Sequence, residues 1–226
     1  MYSYDHPRPS LAVDIVIFTI RENHLHVLLI SRASEPFLGS WALPGGFVHM
    51  EETLDEAAIR ELSEETGIQE AYLEQLYTYG EPQRDPRGRV VSVAYFALIP
   101  VDAPVRGEGG SDTSQACWFP IDDLPALAFD HDEILAYALR RLRYKLEYTA
   151  VGFELLPEEF TLTEIQQTYE IILGEALDKR NFRRRMLASS IIEPTRTKRG
   201  AGGRPARLYR YRADAVAEVR ARRLFP

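Results

Sequence analysis

The sequence has almost no cysteine and no long hydrophobic run. Cys117 is its single cysteine, which excludes an intramolecular disulfide and a cysteine-rich metal site. No apolar run approaches the ~18–20 residues that are needed to cross a bilayer. The N-terminal segment MYSYDHPRPS lacks a basic stretch followed by an apolar one, which is not the pattern of a secretory signal. We therefore expect a soluble, cytoplasmic protein of one or two domains.

Basic residues are scarce in the first three quarters of the chain. Residues 1–177 hold 12 Lys and Arg against 30 Asp and Glu, whereas residues 178–226 hold 15 against 4. The net charge of −7 therefore combines an acidic body with a basic C-terminal segment. This division predicts that the basic segment meets a polyanion.

The pattern of apolar residues predicts a larger N-terminal module. Helix formers and helical spacing predict helices at 53–66 and 132–147. The dipeptide Gly45-Gly46, which follows a proline, predicts a loop. Runs of β-branched and leucine residues predict strands at 11–20, 25–32, 71–79, 89–99 and 114–121.

A smaller module follows a connection near 148–160. Apolar residues at helical spacing predict one helix that ends at Gly174, and Asp178 is expected to cap the next, KRNFRRRMLASS. Strand-like pieces near 191–195 and 207–212 flank the loop RTKRGAGGRPA. Two helices followed by a hairpin with a basic tip predict a winged helix-turn-helix, so the basic segment is expected to be folded.

Three glutamates share one face of the first predicted helix. Glu61, Glu64 and Glu65 are spaced i, i+3 and i+4, so their charges repel one another unless a cation neutralises them. Carboxylate oxygens suit hard divalent ions such as Mg²⁺ or Mn²⁺. The spacing alone is also that of a solvated acidic helix, and it leaves both interpretations open.

The residues around these glutamates form a more specific pattern. Gly46 is followed after five residues by Glu52, and after seven more by RELSEETGI, which begins at Arg60. In this pattern the segment resembles the Nudix box of the Nudix hydrolases at each fixed position. The resemblance implies an α/β fold, in which a mixed sheet lies between helices over residues 8–150. It also implies hydrolysis of a nucleoside diphosphate that is linked to another group.

The resemblance to the Nudix box also implies a role for each of its residues. Glu61, Glu64 and Glu65 would bind the metal, Glu52 and Arg60 would support the loop and helix, and the glycine would permit a tight turn. A bound metal ion neutralises phosphate charge and lowers the pKa of a water ligand, and the identity of the general base stays open. The candidate catalytic and loop residues are thus Glu52, Arg60, Glu61, Glu64, Glu65, Gly45 and Gly46.

Several further segments carry a second resemblance, among them PFLGSWALPGGFV, RDPRGRVVSVAYFAL, LPALAFDH, LDKRNFRRRM and KRGAGGRPARLY. Over most of residues 11–212 the chain is similar to the Nudix-related transcriptional regulators of NAD metabolism. This similarity implies that the Nudix domain senses ADP-ribose or a related nucleotide. It also implies a winged helix, here residues 151–226, that binds a double-stranded DNA operator as part of a homodimer. The Nudix box is often degraded in that family and is intact here, so we expect hydrolysis to be retained.

The residue types of the C-terminal module suit DNA. On a helix over about 179–189, Phe182 and Met186 are expected to face the core, while arginines on another face meet phosphates and base edges. Leu187 interrupts this basic face. A solvated basic surface and RNA binding are the alternatives. The candidate DNA-binding residues are Lys179, Arg180, Asn181, Arg183, Arg184, Lys198, Arg199 and Arg204.

The candidate ligand residues lie outside the Nudix box. Arg84 and Arg87 lie in a predicted loop between strands, where they would either clamp a diphosphate or make surface salt bridges. Phe129 would either stack on adenine or belong to the core, and His131 would either belong to the ligand pocket or cap or orient the following helix.

We therefore predict a nucleotide-responsive DNA-binding transcriptional regulator. Its Nudix domain would bind ADP-ribose or a related nucleoside diphosphate derivative and hydrolyse it with Mg²⁺ or Mn²⁺. One alternative is a plain Nudix hydrolase whose basic module is not a specific regulator. Another is a non-catalytic sensor that keeps the glutamates for metal-assisted ligand binding.

Overall fold

The computed structural model describes residues 6–68, 71–102, 116–199 and 205–215. These residues form two compact units. Of the described residues, the first unit holds 6–18, 26–98 and 116–138. The second unit holds 19–25, 99–102 and the described residues from 139 to 215. Within the described ranges, no helix combines the length and the apolar character that a bilayer-crossing helix needs.

A mixed sheet forms the centre of the first unit. The order β3-β2-β1-β6-β5 runs across it, while β4 pairs with β1 and β7 pairs with β2. β1 and β6 are parallel, whereas β5 runs antiparallel to β6 and β4 antiparallel to β1. The strands are β1 (Ser10–Arg21), β2 (His24–Ser31), β3 (Trp41–Ala42), β4 (Gly45–Phe47), β5 (Tyr72–Tyr79), β6 (Val90–Leu98) and β7 (Ala116–Pro120).

Both faces of the central strands are buried. Val16 and Ile17 are adjacent in β1, as Phe96 and Ala97 are in β6, and all four are completely inaccessible to solvent. Because neighbouring residues of a strand point to opposite faces, both faces of the sheet must be covered. The helices α1 (Leu54–Thr66) and α2 (His131–Tyr148) supply apolar faces. The expected α/β fold, with a mixed sheet and helices, is thus confirmed.

Local sequence signals set the ends of α1. Thr53 accepts a hydrogen bond from the Glu56 amide, and the Glu56 carboxylate accepts one from the Thr53 amide, which forms a reciprocal capping box. Gly67 ends the helix with a left-handed φ of 75°. Both features agree with the helix that the sequence predicts.

The prediction that Gly45 and Gly46 form a loop was wrong, because both residues belong to β4. They pair with β1, opposite Asp14 and Val13 respectively. A Cβ on Gly45 would lie 2.2 Å from the carbonyl oxygen of Val13. The glycines therefore serve close packing within a sheet rather than a turn.

The second unit contains two helices and a hairpin. Its elements are a 3-10 helix (Val151–Leu155), α3 (Leu162–Leu173), α4 (Lys179–Ala188), β8 (Ile192–Arg199), β9 (Ala206–Tyr211) and a short 3-10 helix (Ala213–Ala215). Gly174 ends α3 in the left-handed conformation, and Asp178 caps α4 by accepting a hydrogen bond from the Asn181 amide. These elements give the winged helix-turn-helix that the sequence predicts.

The core of this unit lies between α3 and α4. Phe182 and Met186 are both buried, as predicted, and the Phe182 ring packs edge-on to Tyr169 at 5.5 Å. Phe160 exchanges two backbone hydrogen bonds with Tyr209, of 2.9 and 2.7 Å. This exchange adds a short third segment to the sheet of the wing.

Candidate functional site

A cavity of about 180 Å³ opens beside β4 in the first unit. Its wall includes Gly45 and Gly46, and also the three residues that the sequence predicts as ligand contacts, Arg84, Arg87 and Phe129. The sheet, the loop between β5 and β6, and the segment before α2 therefore bring these residues together.

Arg84 forms salt bridges with two carboxylates of the protein. Its Nε donates to Asp130 Oδ2 at 2.8 Å, and its Nη2 donates to Asp130 Oδ1 at 2.5 Å and to Asp14 Oδ2 at 3.3 Å. The side chain is only 4% exposed. Of the two predicted roles, the structure therefore shows the salt bridge, and the pair is buried rather than on the surface.

Arg87 lies at the mouth of the cavity. Its Nη2 is 2.6 Å from Asp85 Oδ2, and its guanidinium carbon lies 5.2 Å from the ring centroid of Phe47 and 5.6 Å from that of Phe129. The hydrogen bonds from Arg87 lower the pKa of the Asp85 carboxyl. Arg87 is exposed, and it makes a salt bridge while it faces the cavity.

Phe129 is a half-buried wall residue rather than a core residue. Its φ is 56°, and that of Phe37 is 65°. Both values lie in the left-handed region, which bulky residues rarely adopt. The two rings meet edge to face at 4.8 Å. Strained residues of this kind cluster at functional sites.

A buried polar network that the sequence analysis missed supports the wall. Asp14, on β1, accepts hydrogen bonds from Ser92 Oγ at 2.5 Å and from Arg84. His131 Nδ1 accepts from the Leu43 amide at 2.9 Å, and its Nε2 lies 3.5 Å from Asp14 Oδ1. A single charged residue inside the apolar run LAVDIVIFTI is the signal that could have located the network, because a buried charge requires partners.

His131 is neutral in this network. Burial lowers the pKa of its imidazole, and this effect exceeds the opposing effect of the nearby Asp14 charge. Since Nδ1 accepts a hydrogen bond, the proton of the neutral ring is on Nε2, towards Asp14. His131 begins α2 and is bonded to Leu43, so it orients the helix start as predicted.

Arg60 organises the carboxylates of α1. It donates two hydrogen bonds to Glu52, from Nε at 3.0 Å and from Nη2 at 2.8 Å. Its Nη1 donates to Glu61 at 2.6 Å and to Glu64 at 3.3 Å. The hydrogen bonds from Arg60, followed by one from the His49 amide, lower the pKa of Glu52 to about 2. Glu52 and Arg60 thus tie the loop before α1 to the helix.

The glutamates predicted to bind metal lie near one another but do not converge. Within the residues that the structure describes, no set of three His, Cys, Asp or Glu side chains has metal-binding geometry. Burial raises the pKa of Glu65, and the charges of Glu61 and Glu64 raise it further. Their mutual repulsion and their oxygen donors suit a hard divalent cation, although Arg60 occupies Glu61 and Glu64 here.

Gly46 connects these carboxylates to the cavity. It lines the cavity, and a Cβ on it would lie 2.1 Å from Glu61 Oε1. Glu61 is itself buried. Glu61, on the glutamate face of α1, therefore lies directly behind the cavity wall at Gly46, because this position of β4 has no side chain.

The predicted DNA-binding residues of α4 differ in exposure. Lys179, Arg180, Asn181 and Arg184 are exposed, and Arg184 donates to Asn181 Oδ1 at 2.8 Å. Arg183 is half-buried, and its Nη2 donates to Thr163 Oγ1 of α3 at 2.8 Å. The three exposed cations among them present a basic surface together with the polar Asn181, while Arg183 joins the two helices.

The residues predicted on the wing are only partly described. Arg199 is exposed, but its Nη1 donates to Glu164 Oε1 at 2.5 Å and its Nη2 to the carbonyl oxygen of Glu159 at 3.1 Å. Lys198 lies in β8 opposite Arg207. Arg204 lies outside the described residues. Arg185 and Arg196 are further exposed basic residues of this unit, which the sequence analysis did not select.

Known proteins share both parts of this architecture. The sequence matches the NUDIX domain over residues 9–142 and the NrtR DNA-binding winged helix domain over residues 152–211. It is 46% identical over 211 residues to the ADPR responsive transcriptional repressor NtrR of Acinetobacter baylyi, a match that covers 92% of this chain and 84% of that protein. It is 41% identical over 134 residues to the ADP-ribose pyrophosphatase of Methanocaldococcus jannaschii, a match that covers 58% of this chain and 74% of that protein.

A solved structure has the same arrangement of elements. The crystal structure of Shewanella oneidensis NrtR complexed with a 27mer DNA aligns with a TM-score of 0.83 at 38% identity, and the alignment covers 92% of this chain and 95% of that chain. The fold, the glutamates of α1 and the winged helix thus define a Nudix protein that carries a winged helix domain of a DNA-binding type. The chain belongs to the Nudix family, and within it to the NrtR proteins that join a Nudix domain to a winged helix. The family resemblance found in the sequence is confirmed.

Proposed function

We propose that this protein is an ADP-ribose-responsive transcriptional regulator. Its Nudix domain, residues 8–150, binds the nucleotide in the cavity beside β4, and its winged helix, residues 151–226, binds a double-stranded DNA operator. The relative from A. baylyi is described as an ADPR responsive repressor, and the S. oneidensis relative was crystallised with DNA. Both comparisons support the proposal.

The observation that carries the proposal is that the wall of the cavity and the glutamates of α1 lie on either side of Gly46. On one side the cavity offers aromatic rings, including Phe129, and guanidinium groups such as that of Arg87. On the other side stands the glutamate face of α1 through Glu61. A nucleoside diphosphate derivative has a base that stacks on rings and phosphates that attract cations. Such a ligand matches both sides at once.

We further propose that the intact Nudix box hydrolyses ADP-ribose. Nudix hydrolases generally use divalent metal ions, and Mg²⁺ or Mn²⁺ would here be held by Glu61, Glu64 and Glu65. The ion would neutralise diphosphate charge and lower the pKa of a bound water. Arg60 would keep its two hydrogen bonds to Glu52, and so hold the loop and the helix, when Glu61 and Glu64 turn to the metal. The pyrophosphatase of M. jannaschii supports this extension.

Product analysis tests hydrolysis directly. The purified protein is incubated with ADP-ribose and Mg²⁺, and the products are separated by chromatography. We expect AMP and ribose 5-phosphate from the wild type and from Glu175→Gln, which removes an exposed glutamate of the second unit. We expect a large loss in Glu64→Gln. If no variant cleaves ADP-ribose but the ligand still raises the melting temperature, the domain is a non-catalytic sensor.

A DNA-binding assay tests the regulator. One promoter fragment should bind more tightly than competitor DNA, and ADP-ribose should change that affinity. Equal and strongly salt-dependent binding to all fragments would favour a plain Nudix hydrolase with a non-specific basic module. Because winged helices of this type read two-fold operators, we also propose a homodimer, which light scattering after gel filtration measures.

A further inference from the structure

Arg32 differs from the other arginines of the cavity wall. Arg84 is bound by Asp130 and Asp14, and Arg87 is bound by Asp85. Arg32 donates instead to two backbone carbonyls, from Nε to Pro36 at 2.8 Å and from Nη2 to Ser34 at 3.4 Å. Across the part of the chain that the structure describes, no carboxylate forms a salt bridge with its guanidinium. The wall therefore holds one half-buried cation whose charge the protein does not neutralise by direct contact.

A second cation stands close to Arg32. The guanidinium carbons of Arg32 and Arg87 lie 4.7 and 5.6 Å from the centroid of the same ring, Phe129. Burial lowers the pKa of Arg32 and the charge of Arg87 lowers it further, while the charges of Asp85, Asp14 and Glu35 each oppose the shift by a smaller amount. Two like charges beside one ring repel each other, so the arrangement favours an anion that contacts both.

The backbone holds Arg32 in this position. Its own amide donates to the Ser40 carbonyl at 3.0 Å, and its carbonyl accepts from the Gly39 amide at 2.9 Å. The loop of residues 32–40 is therefore closed at its base. Phe37, within this loop, has a positive φ and packs against Phe129. These hydrogen bonds hold the guanidinium in place, which lowers the entropic cost of binding a ligand there.

We propose that Arg32, acting with Arg87, binds the diphosphate of the ligand, and that Arg32 determines the preference for a diphosphate. Arg84 holds the wall through Asp130 and Asp14 and does not take this role. The inference rests on the proposed function, because it names the group that selects the nucleotide in the same cavity. Its own content is a diphosphate contact at a residue outside the Nudix box.

Calorimetry on the full chain with EDTA, which prevents hydrolysis, tests the inference with three probes: ADP-ribose, inorganic pyrophosphate and adenosine. A charge-assisted hydrogen bond is worth about 1.5–3 kcal/mol, so Arg32→Gln should weaken ADP-ribose binding by roughly tenfold or more. The same variant should lose pyrophosphate binding and leave adenosine binding unchanged. Arg32→Lys keeps the positive charge but lacks the planar guanidinium, so its affinity for ADP-ribose should lie between those of the wild type and Arg32→Gln. Arg89→Gln is the matched control, because Arg89 also donates to a backbone carbonyl but does not line the cavity.

The outcomes separate the two proposals. If Arg32→Gln binds ADP-ribose like the wild type, the Arg32 assignment is wrong while the proposed function stands. An equal loss of adenosine and ADP-ribose affinity would also overturn it, because the variant would then have disrupted the loop rather than removed a phosphate contact. If wild-type protein fails to bind ADP-ribose but binds pyrophosphate through Arg32, the proposed function fails and the anion site stands. If it binds neither, the Arg32 assignment fails, and the hydrolysis and DNA-binding assays, which contain Mg²⁺ and ADP-ribose, decide the proposed function.

Discussion

Replacing Gly46 with alanine tests the contact between the cavity and the glutamate helix. The new Cβ would lie 2.1 Å from Glu61 Oε1 and 2.7 Å from Glu61 Cδ, far inside the van der Waals distance. The strand β4 is held in register by β1, whereas the carboxylate is the end of a flexible side chain. We therefore expect Glu61 to move and β4 to stay.

The energetic cost follows from the bond that Glu61 loses. Its side chain is 10% exposed, and its carboxylate accepts a charge-assisted hydrogen bond from Arg60 at 2.6 Å. Loss of such a bond costs about 1.5–3 kcal/mol, which corresponds to a fall in melting temperature of roughly 3–12 °C for a chain of this size. Thermal unfolding of the wild type and of Gly46→Ala measures this fall in melting temperature. Gly80→Ala is the control, because a Cβ there would meet nothing closer than 3.9 Å.

A double-mutant cycle with Glu61→Ala decides whether the reasoning holds. If the conflict is with the Glu61 side chain alone, Gly46→Ala should cost almost nothing in the Glu61→Ala background. The coupling free energy should then be close to the whole cost of the single glycine substitution. An undiminished cost in the double variant would refute the argument, since it would mean that β4 itself has been displaced.

The pH dependence of stability and the salt dependence of DNA binding give three further predictions. The pKa of Glu52 is lowered to about 2, so the stability that Glu52 contributes is present above pH ~4.5 and is lost as the pH falls towards 2. In urea unfolding, Glu52→Gln should therefore reduce the fall in the free energy of unfolding between pH 4.5 and pH 2. The pKa of His131 is also lowered, so its contribution is full above pH ~6.5 and falls below it. His131→Asn, which keeps an acceptor for the Leu43 amide, should remove that dependence. Arg184→Gln should lower the salt slope of DNA binding by about 1, whereas Arg199→Gln, whose partner is a glutamate, should leave it nearly unchanged; equal slopes for both variants would contradict the assignment.

The parts of the fold that the sequence predicts correctly are those set by neighbouring residues. The capping box of α1 joins Thr53 to Glu56, and Gly67 ends the same helix, so one short segment contains every interaction that defines it. The second unit follows the same rule, because Asp178 caps α4 through an amide three residues away. Local signals of this kind are visible without the rest of the molecule.

The strand β4 could not be predicted in this way. Gly45 and Gly46 carry the usual signal for a loop, yet they lie flat against β1 because no side chain fits there. The reason for the glycines is therefore a distant backbone, that of Val13 and Asp14, and a distant side chain, Glu61. A sequence pattern gives the residue type but not the surface it must approach.

The same limit explains why the sequence analysis chose Arg84 and passed over Arg32. Arg32 is the last residue of a predicted strand and Arg84 lies in a predicted loop, and their residue type alone does not distinguish a guanidinium bound by carboxylates from one without such a partner. Asp130, the partner of Arg84, is 46 residues away in the chain, whereas the hydrogen bonds of the Arg32 guanidinium within the described residues go to backbone carbonyls of its own loop. The proposed difference in role between Arg84 and Arg32 therefore depends on tertiary pairing, which residue type does not reveal.

Arg60 bears on the choice between enzyme and sensor. In the proposed metal site, a divalent ion would have to compete with this arginine for Glu61 and Glu64, because both accept hydrogen bonds from its Nη1. The other edge of the guanidinium stays bound to Glu52, so the competition need not disturb the loop or the helix. An enzyme and a sensor would then share one fold and differ in how often the arginine releases the glutamates. The Mg²⁺ concentration that half-saturates the proposed cleavage of ADP-ribose would therefore report on this competition, and an unchanged value in Arg60→Gln would show that the arginine does not control metal access.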